Sequence, residues 1–134
     1  MLRPPMPWAR VPNVMVAVRR LEIADRLLDE FSQVGLDPAP AFSGAEAISS
    51  LDAGRFDAIV LDTALEDHDC VRRWMDRHRR GVMCVIHDFE AYRGARRIED
   101  DPAAWSGADP DAFEVTGRLV QALARAQRGA NRAE

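Results

Sequence analysis

The chain contains no lysine: all 18 basic residues among its 134 are arginine. That absence removes every mechanism with an obligatory lysine, including P-loop phosphate binding, Schiff-base chemistry and a pyridoxal phosphate anchor. Cysteine is scarce. Cys70 and Cys84 are too few for a disulfide framework or a cysteine-built zinc site, and their spacing matches no metal motif. They read as half-buried thiols in a reducing, cytoplasmic setting. The longest apolar runs are four or five residues, far below the roughly 18 that span a bilayer. Met1 to Pro12 has Arg3 and Arg10 but no apolar stretch leading to a cleavage site, so no secretory signal is expected there. Positive charge is also in the minority. With 22 acidic residues the net charge is −4, which disfavours sequence-independent nucleic-acid binding.

What is present fits one domain. The length leaves no room for a second sizeable core, and 47% apolar residues are too many for a disordered chain. Residues 1–12 carry prolines at 4, 5, 7 and 12 and read as an extended N-terminal arm. Trp8 is the arm's only large apolar group. The arm is expected to be a loose tail, a strip lying on the domain, or a docking element. Residues 13–128 read as the domain and 129–134 as a tail, either terminal or the start of a linker.

Three continuous apolar runs stand out: Val14–Val18, Ala58–Leu61 and Val82–Ile86. Continuous runs, rather than alternation, indicate strands covered on both faces, as in a parallel sheet. Helical patterns lie between them. Leu21, Ala24, Leu27, Leu28, Phe31 and Val34 recur at three and four, with Gly35 as a C-cap. Ser43-Gly44-Ala45-Glu46 opens a second helix as a capping box, with Ala47, Ile48 and Leu51 on one face and Gly54 ending it. Val71 to His78 forms a third. A fourth is expected over about 90–98, and a last from Phe113 to about Arg128 with Phe113, Val120, Leu123 and Ala124 as its apolar stripe.

Alternation of this kind predicts an α/β, flavodoxin-like, doubly wound sheet of five parallel strands in the order 2-1-3-4-5, with helices on both faces. Pro38-Ala39-Pro40-Ala41-Phe42 sits where the second strand belongs. Two prolines cannot both donate to a ladder, so this must be an edge strand. The expected order places it there. The fifth strand would be Ala103-Ala104-Trp105, too short and Ala-rich for periodicity alone to identify.

In such a fold, chemistry gathers at the carboxyl ends of the strands. Arg19 and Arg20 follow the first run, Asp62 the third, His87 and Asp88 the fourth, and Ser106 the expected fifth. On these motifs the chain resembles the receiver domain of two-component response regulators. The resemblance covers about residues 13–128. It is carried by Gly35-Leu36 through Phe42-Ser43-Gly44-Ala45-Glu46-Ala47-Ile48, by Phe56-Asp57-Ala58-Ile59-Val60-Leu61-Asp62, by the rhythm of Leu65, Asp67 and Asp69, and by Asp109-Pro110-Asp111-Ala112-Phe113.

The resemblance implies a functional pocket, and four of its five positions are altered. The phosphoacceptor position falls on Asp62. The acidic pair that would hold Mg²⁺ falls on Arg19 and Arg20, the hydroxyl position on His87, the lysine position on Ser106 and the switch aromatic near Ala103. The loop's usual Pro and Gly become Glu66 and Cys70. A hard cation wants oxygen ligands, and here two permanent cations flank the one carboxylate left. At ~4 Å, two unit charges interact by ~4 kcal/mol at an effective dielectric near 20. Turning attraction into repulsion twice therefore opposes Mg²⁺ strongly, and losing metal and lysine together removes most of the phosphoryl-transfer catalysis.

The expectation is a degenerate receiver, a pseudo-receiver, of bacterial two-component or phosphorelay-type signalling, with no cofactor, no resident metal and no enzymatic activity. It would act through a kinase, an effector or a second copy of itself. The resemblance places such contacts on the fourth helix, fifth strand and fifth helix, where Trp105 and Phe113 are the candidate anchors of a homodimer or effector interface. Either Arg19 or Arg20 pairs with Asp62 in place of the metal, or both point to solvent. Two alternatives stand beside this reading. One is residual phosphorylation of Asp62 by a partner kinase. The other is a scaffold or nucleic-acid-binding module using Arg72, Arg73, Arg77, Arg79, Arg80, Arg93, Arg96 and Arg97.

Overall fold

The computed structural model describes residues 8–89 and 110–133. Within them the chain runs β1 (Asn13–Ala17), α1 (Leu21–Gln33), β2 (Asp37–Ala41), α2 (Gly44–Ala53), β3 (Ala58–Asp62), α3 (His68–His78), β4 (Met83–His87) and α4 (Pro110–Ala133). The four strands form one parallel sheet in the order β2-β1-β3-β4. The helix expected over 90–98 and the strand expected over 103–105 lie outside the described residues.

The sheet is covered on both faces, and each face has its own core. Val14, Val16, Val18, Ala58 and Val60 meet α1 and α4 on one side. Met15, Ala17, Ile59 and Leu61 meet α2 and α3 on the other. β3 is buried at all five positions, lying between β1 and β4 with helices over both faces.

β2 shows how two prolines are accommodated. Among the described residues it pairs only with β1, with Val14 opposite Pro38 and Val16 opposite Pro40. The Asp37 amide donates to Pro12 O at 2.9 Å, and Ala41 O accepts from Val18 N at 3.1 Å. Odd-numbered residues therefore face β1. By the two-residue period, Pro38 and Pro40 turn their missing N–H groups toward the open edge.

The helices are bounded by local signals. Gly35 takes φ 83°, and the Gly35 and Leu36 amides close back on Ser32 O and Phe31 O, ending α1. Ser43 caps α2 through Oγ, which accepts from Glu46 N at 3.1 Å, while Glu46 reaches back to the Phe42 amide. Ala47 and Leu51 are buried beneath that helix, and Ile48 is half-buried.

Several expectations are corrected. Leu21 does not belong to the buried stripe of α1. It is 61% exposed, and Ile23 takes its place. In α4, Leu123 and Ala124 are buried as expected and are joined by Ala112, Val115 and Leu119, while Phe113 is 76% exposed. A helix with this register buries every third or fourth position, and the small Ala112 takes the inward one. The last helix, expected to end near Arg128, continues to Ala133. Cys70 and Cys84 are exposed rather than half-buried.

Residues 8–12 lie on the domain. Trp8 packs against the α1–α4 core, and its indole Nε1 donates to Val34 O at 2.9 Å. Gln127 of α4 holds the next residues from both sides, accepting from Ala9 N at 3.0 Å and donating to Arg10 O at 2.8 Å. Asp57, just before β3, accepts from the Arg10 guanidinium at 2.6 Å and from Asn13 N at 2.8 Å. Among the described residues no helix is long and apolar enough to cross a membrane.

Candidate functional site

Asp62 is the last residue of β3, so the sheet itself sets its position. Its Cα is in register with His87, the last residue of β4, and the end of β1 lies on its other side. It is fully buried, at 0% exposure. A bare carboxylate in such a place is costly unless its charge is met. Here backbone amides meet it: Oδ1 accepts from Ala64 N at 2.9 Å and Oδ2 from Arg19 N at 3.2 Å.

Of the two arrangements expected for the arginines, the ion pair with Asp62 is not formed. Among the described residues no ion pair within 4.0 Å joins Asp62 to Arg19 or Arg20, and both arginines are exposed. Arg19 serves Asp62 through its main chain. The reason is geometric: the side chain leaving the end of β1 heads to solvent, while the amide at the same residue points across to β3. Arg20 then stands as N-cap of α1 without capping through its side chain.

His87 is half-buried, its ring 4.5 Å from that of Phe89 in an edge-to-face arrangement. Its carbonyl accepts from Thr63 N at 3.1 Å, tying β4 to the residue after Asp62. Asp88 is exposed. Ser106, Ala103 and Trp105 lie outside the described residues, so three of the positions drawn from the resemblance are not placed. The structure brings Arg19, Arg20, Asp62 and His87 to one end of the sheet. It puts Phe113 on the outer side of α4.

One residue of this end escaped the sequence reading except as part of a rhythm. Asp67 closes the β3–α3 loop by accepting from Gly44 N, the first amide of α2, at 2.9 Å. The fit is close: a Cβ at position 44 would lie 2.5 and 2.6 Å from the two Asp67 oxygens. Leu65 N donates to Asp62 O at 3.1 Å, and His68 Nδ1 lies 2.9 Å from Leu65 O. The loop over Asp62 is thus held at both ends. A Gly at the first position of a helix, directly after its Ser43 cap, was the available signal, but its partner is 23 residues away.

No protein-family model matches the sequence, and no curated protein does. Solved structures do. The chain is similar to the receiver domain of the Francisella response regulator 1452, with TM-score 0.60 and 20% identity over 87% of this chain and 98% of that one. It is similar to the signal receiver domain of a putative LuxO repressor protein from Vibrio parahaemolyticus, with TM-score 0.63 and 14% identity over 90% and 98%. It also resembles the response regulator TrrA from Thermotoga maritima, solved with Mg²⁺ and BeF, with TM-score 0.56 and 20% identity over 74% and 83%. The chain therefore has the fold of response-regulator receiver domains.

Proposed function

We propose that this chain is a pseudo-receiver: a receiver-fold signalling module that works by binding protein partners, without phosphorylation of Asp62 and without catalysis of its own. One observation carries the reading. The carboxylate at the acceptor position is fully buried, and each of its oxygens already holds a backbone amide. An in-line attack on a phosphodonor needs an exposed oxygen and a cation to gather charge. Two exposed arginines stand at the expected acidic positions, and no lysine exists anywhere in the chain.

The receiver fold supports a place in two-component or phosphorelay-type signalling of bacterial type, in the cytoplasm. The partner would be a kinase, an effector or a second copy. The working surface would include Phe113, an exposed aromatic on α4, together with Trp105. The test is intact mass after incubation with acetyl phosphate and Mg²⁺, with Asp62→Asn as control. The expected result is no adduct on either protein. A phosphate adduct on the wild-type chain that disappears in Asp62→Asn overturns the reading.

A further inference from the structure

The opposite end of the sheet, about 15 Å away along β3 by the rise of a strand, carries a cleft of about 550 Å³. That volume lies within the usual range of small-molecule sites. Its rim is arginine from three separate stretches: Arg10 before β1, Arg55 after α2, and Arg79 and Arg80 after α3. Leu51, Phe56 and Val82 add apolar surface to its lining. Four cations converging on one cleft are notable in a chain of net charge −4.

The local negative charge is already occupied. Among the described residues Asp57 is the one carboxylate lining the cleft, and it is held by Arg10 and by the Asn13 amide. The ends of α2 and α3 also point this way with their partial negative charge. The carbonyls of α3 are served there: Arg79 donates to His78 O at 2.8 Å and Arg80 Nε to Asp76 O at 2.9 Å. Asp52 stands 3.9 Å from Arg79, an ion pair but too long for a hydrogen bond. Each guanidinium has five N–H donors, so most remain for a ligand. Arg55 is exposed, and its guanidinium has no partner among the described residues.

The apolar lining adds shape. Gly54 has no side chain, and a Cβ there would lie 3.4 Å from the Phe56 ring. The glycine thus leaves part of that ring uncovered at the cleft. A phosphate-bearing molecule with a flat, weakly polar body would satisfy both halves, its phosphates on the guanidinium groups and its body over Phe56. We propose that this cleft binds a nucleoside diphosphate, by arginine forks rather than by a lysine-bearing glycine loop.

Titration calorimetry of the full chain with ADP, inorganic pyrophosphate and adenosine tests this. ADP is expected to bind once per chain, with a dissociation constant below about 100 µM at low salt, and to weaken as salt is raised. Arg55→Ser and Arg80→Ser, both at exposed positions, should each weaken ADP at least fivefold with circular dichroism unchanged. Arg19→Ser, at the other end of the sheet, should leave it unaltered. Pyrophosphate should bind at least fivefold more weakly than ADP, and adenosine not measurably. Absence of ADP binding up to 1 mM overturns the proposal. So does binding insensitive to both arginine substitutions, sensitivity to Arg19→Ser, or pyrophosphate binding as tightly as ADP.

Discussion

Gly44→Ala is a small substitution with a large expected effect. At most helix starts, adding a methyl group is harmless or slightly helpful. Here the new Cβ would enter the space of the Asp67 carboxylate, 2.5 and 2.6 Å from its oxygens. Asp67 cannot stay, so its bond with the Gly44 amide is lost along with its favourable place at the N-terminus of α2. A hydrogen bond to a charged group is worth roughly 1.5–3 kcal/mol. The gain in helix propensity returns a few tenths at most at a first-turn position. The net cost is therefore about 2 kcal/mol, or a fall in Tm of roughly 6–10 °C for a chain of this size. The assay is a double-mutant cycle by urea unfolding. Asp67→Ala alone should cost about 1–2 kcal/mol, as loss of a helix cap does. In the Asp67→Ala background, Gly44→Ala should cost close to nothing, because both the clash and the bond are gone. If Gly44→Ala costs the same in both backgrounds, the latch between the β3–α3 loop and α2 does not hold as described.

Three further outcomes are expected. Asp57→Ala should destabilise by about 1–2 kcal/mol because it orphans the Asn13 amide, whereas Arg10→Ala should cost under about 1 kcal/mol because that guanidinium is 59% exposed; thermal melts of the two variants compare them directly. Trp8→Ala should cost about 2–3 kcal/mol through lost packing and the lost bond to Val34 O, and protease resistance of residues 8–12 should fall with it. Although Cys84 is exposed as a residue, desolvation around its sulfur lifts the thiol above its ordinary range, with Arg72 opposing and Asp76 adding. Because the folded pKa is the higher one, Cys84 favours the folded state fully at neutral pH and that contribution fades as pH rises through the thiol range. Its alkylation rate, followed by mass spectrometry, should therefore still be climbing where an ordinary thiol has levelled off.

The parts of this fold legible in the sequence are those fixed by a residue's own chemistry. Continuous apolar runs marked β1 and β3 because a strand covered on both faces has no polar positions to show, and a like run marked β4, where Cys84 is nevertheless exposed. Pro38 and Pro40 marked an edge because neither can donate, and their shared parity puts both gaps on the outer side. The C-terminal half of the α4 stripe was read correctly at Leu123 and Ala124, but at its start size drew the assignment to the large Phe113 instead of the small, buried Ala112. The candidate site was legible only in outline. Asp62 and His87 were placed correctly at one end of the sheet, yet the contacts that define Asp62 were not. Arginine invites a side-chain pairing, and two of them beside a carboxylate suggest an ion pair. What reaches Asp62 instead is the main chain of Arg19 and Ala64. Every residue except proline carries that N–H, so residue identity cannot announce it. This also fixes what replacing the acidic pair would do. Arg19→Asp would restore a metal ligand in name but leave the amide cap on Asp62 intact. Metal-dependent phosphorylation therefore requires the fully buried carboxylate to be uncovered first, and charge reversal at Arg19 and Arg20 alone should not produce a phosphate adduct.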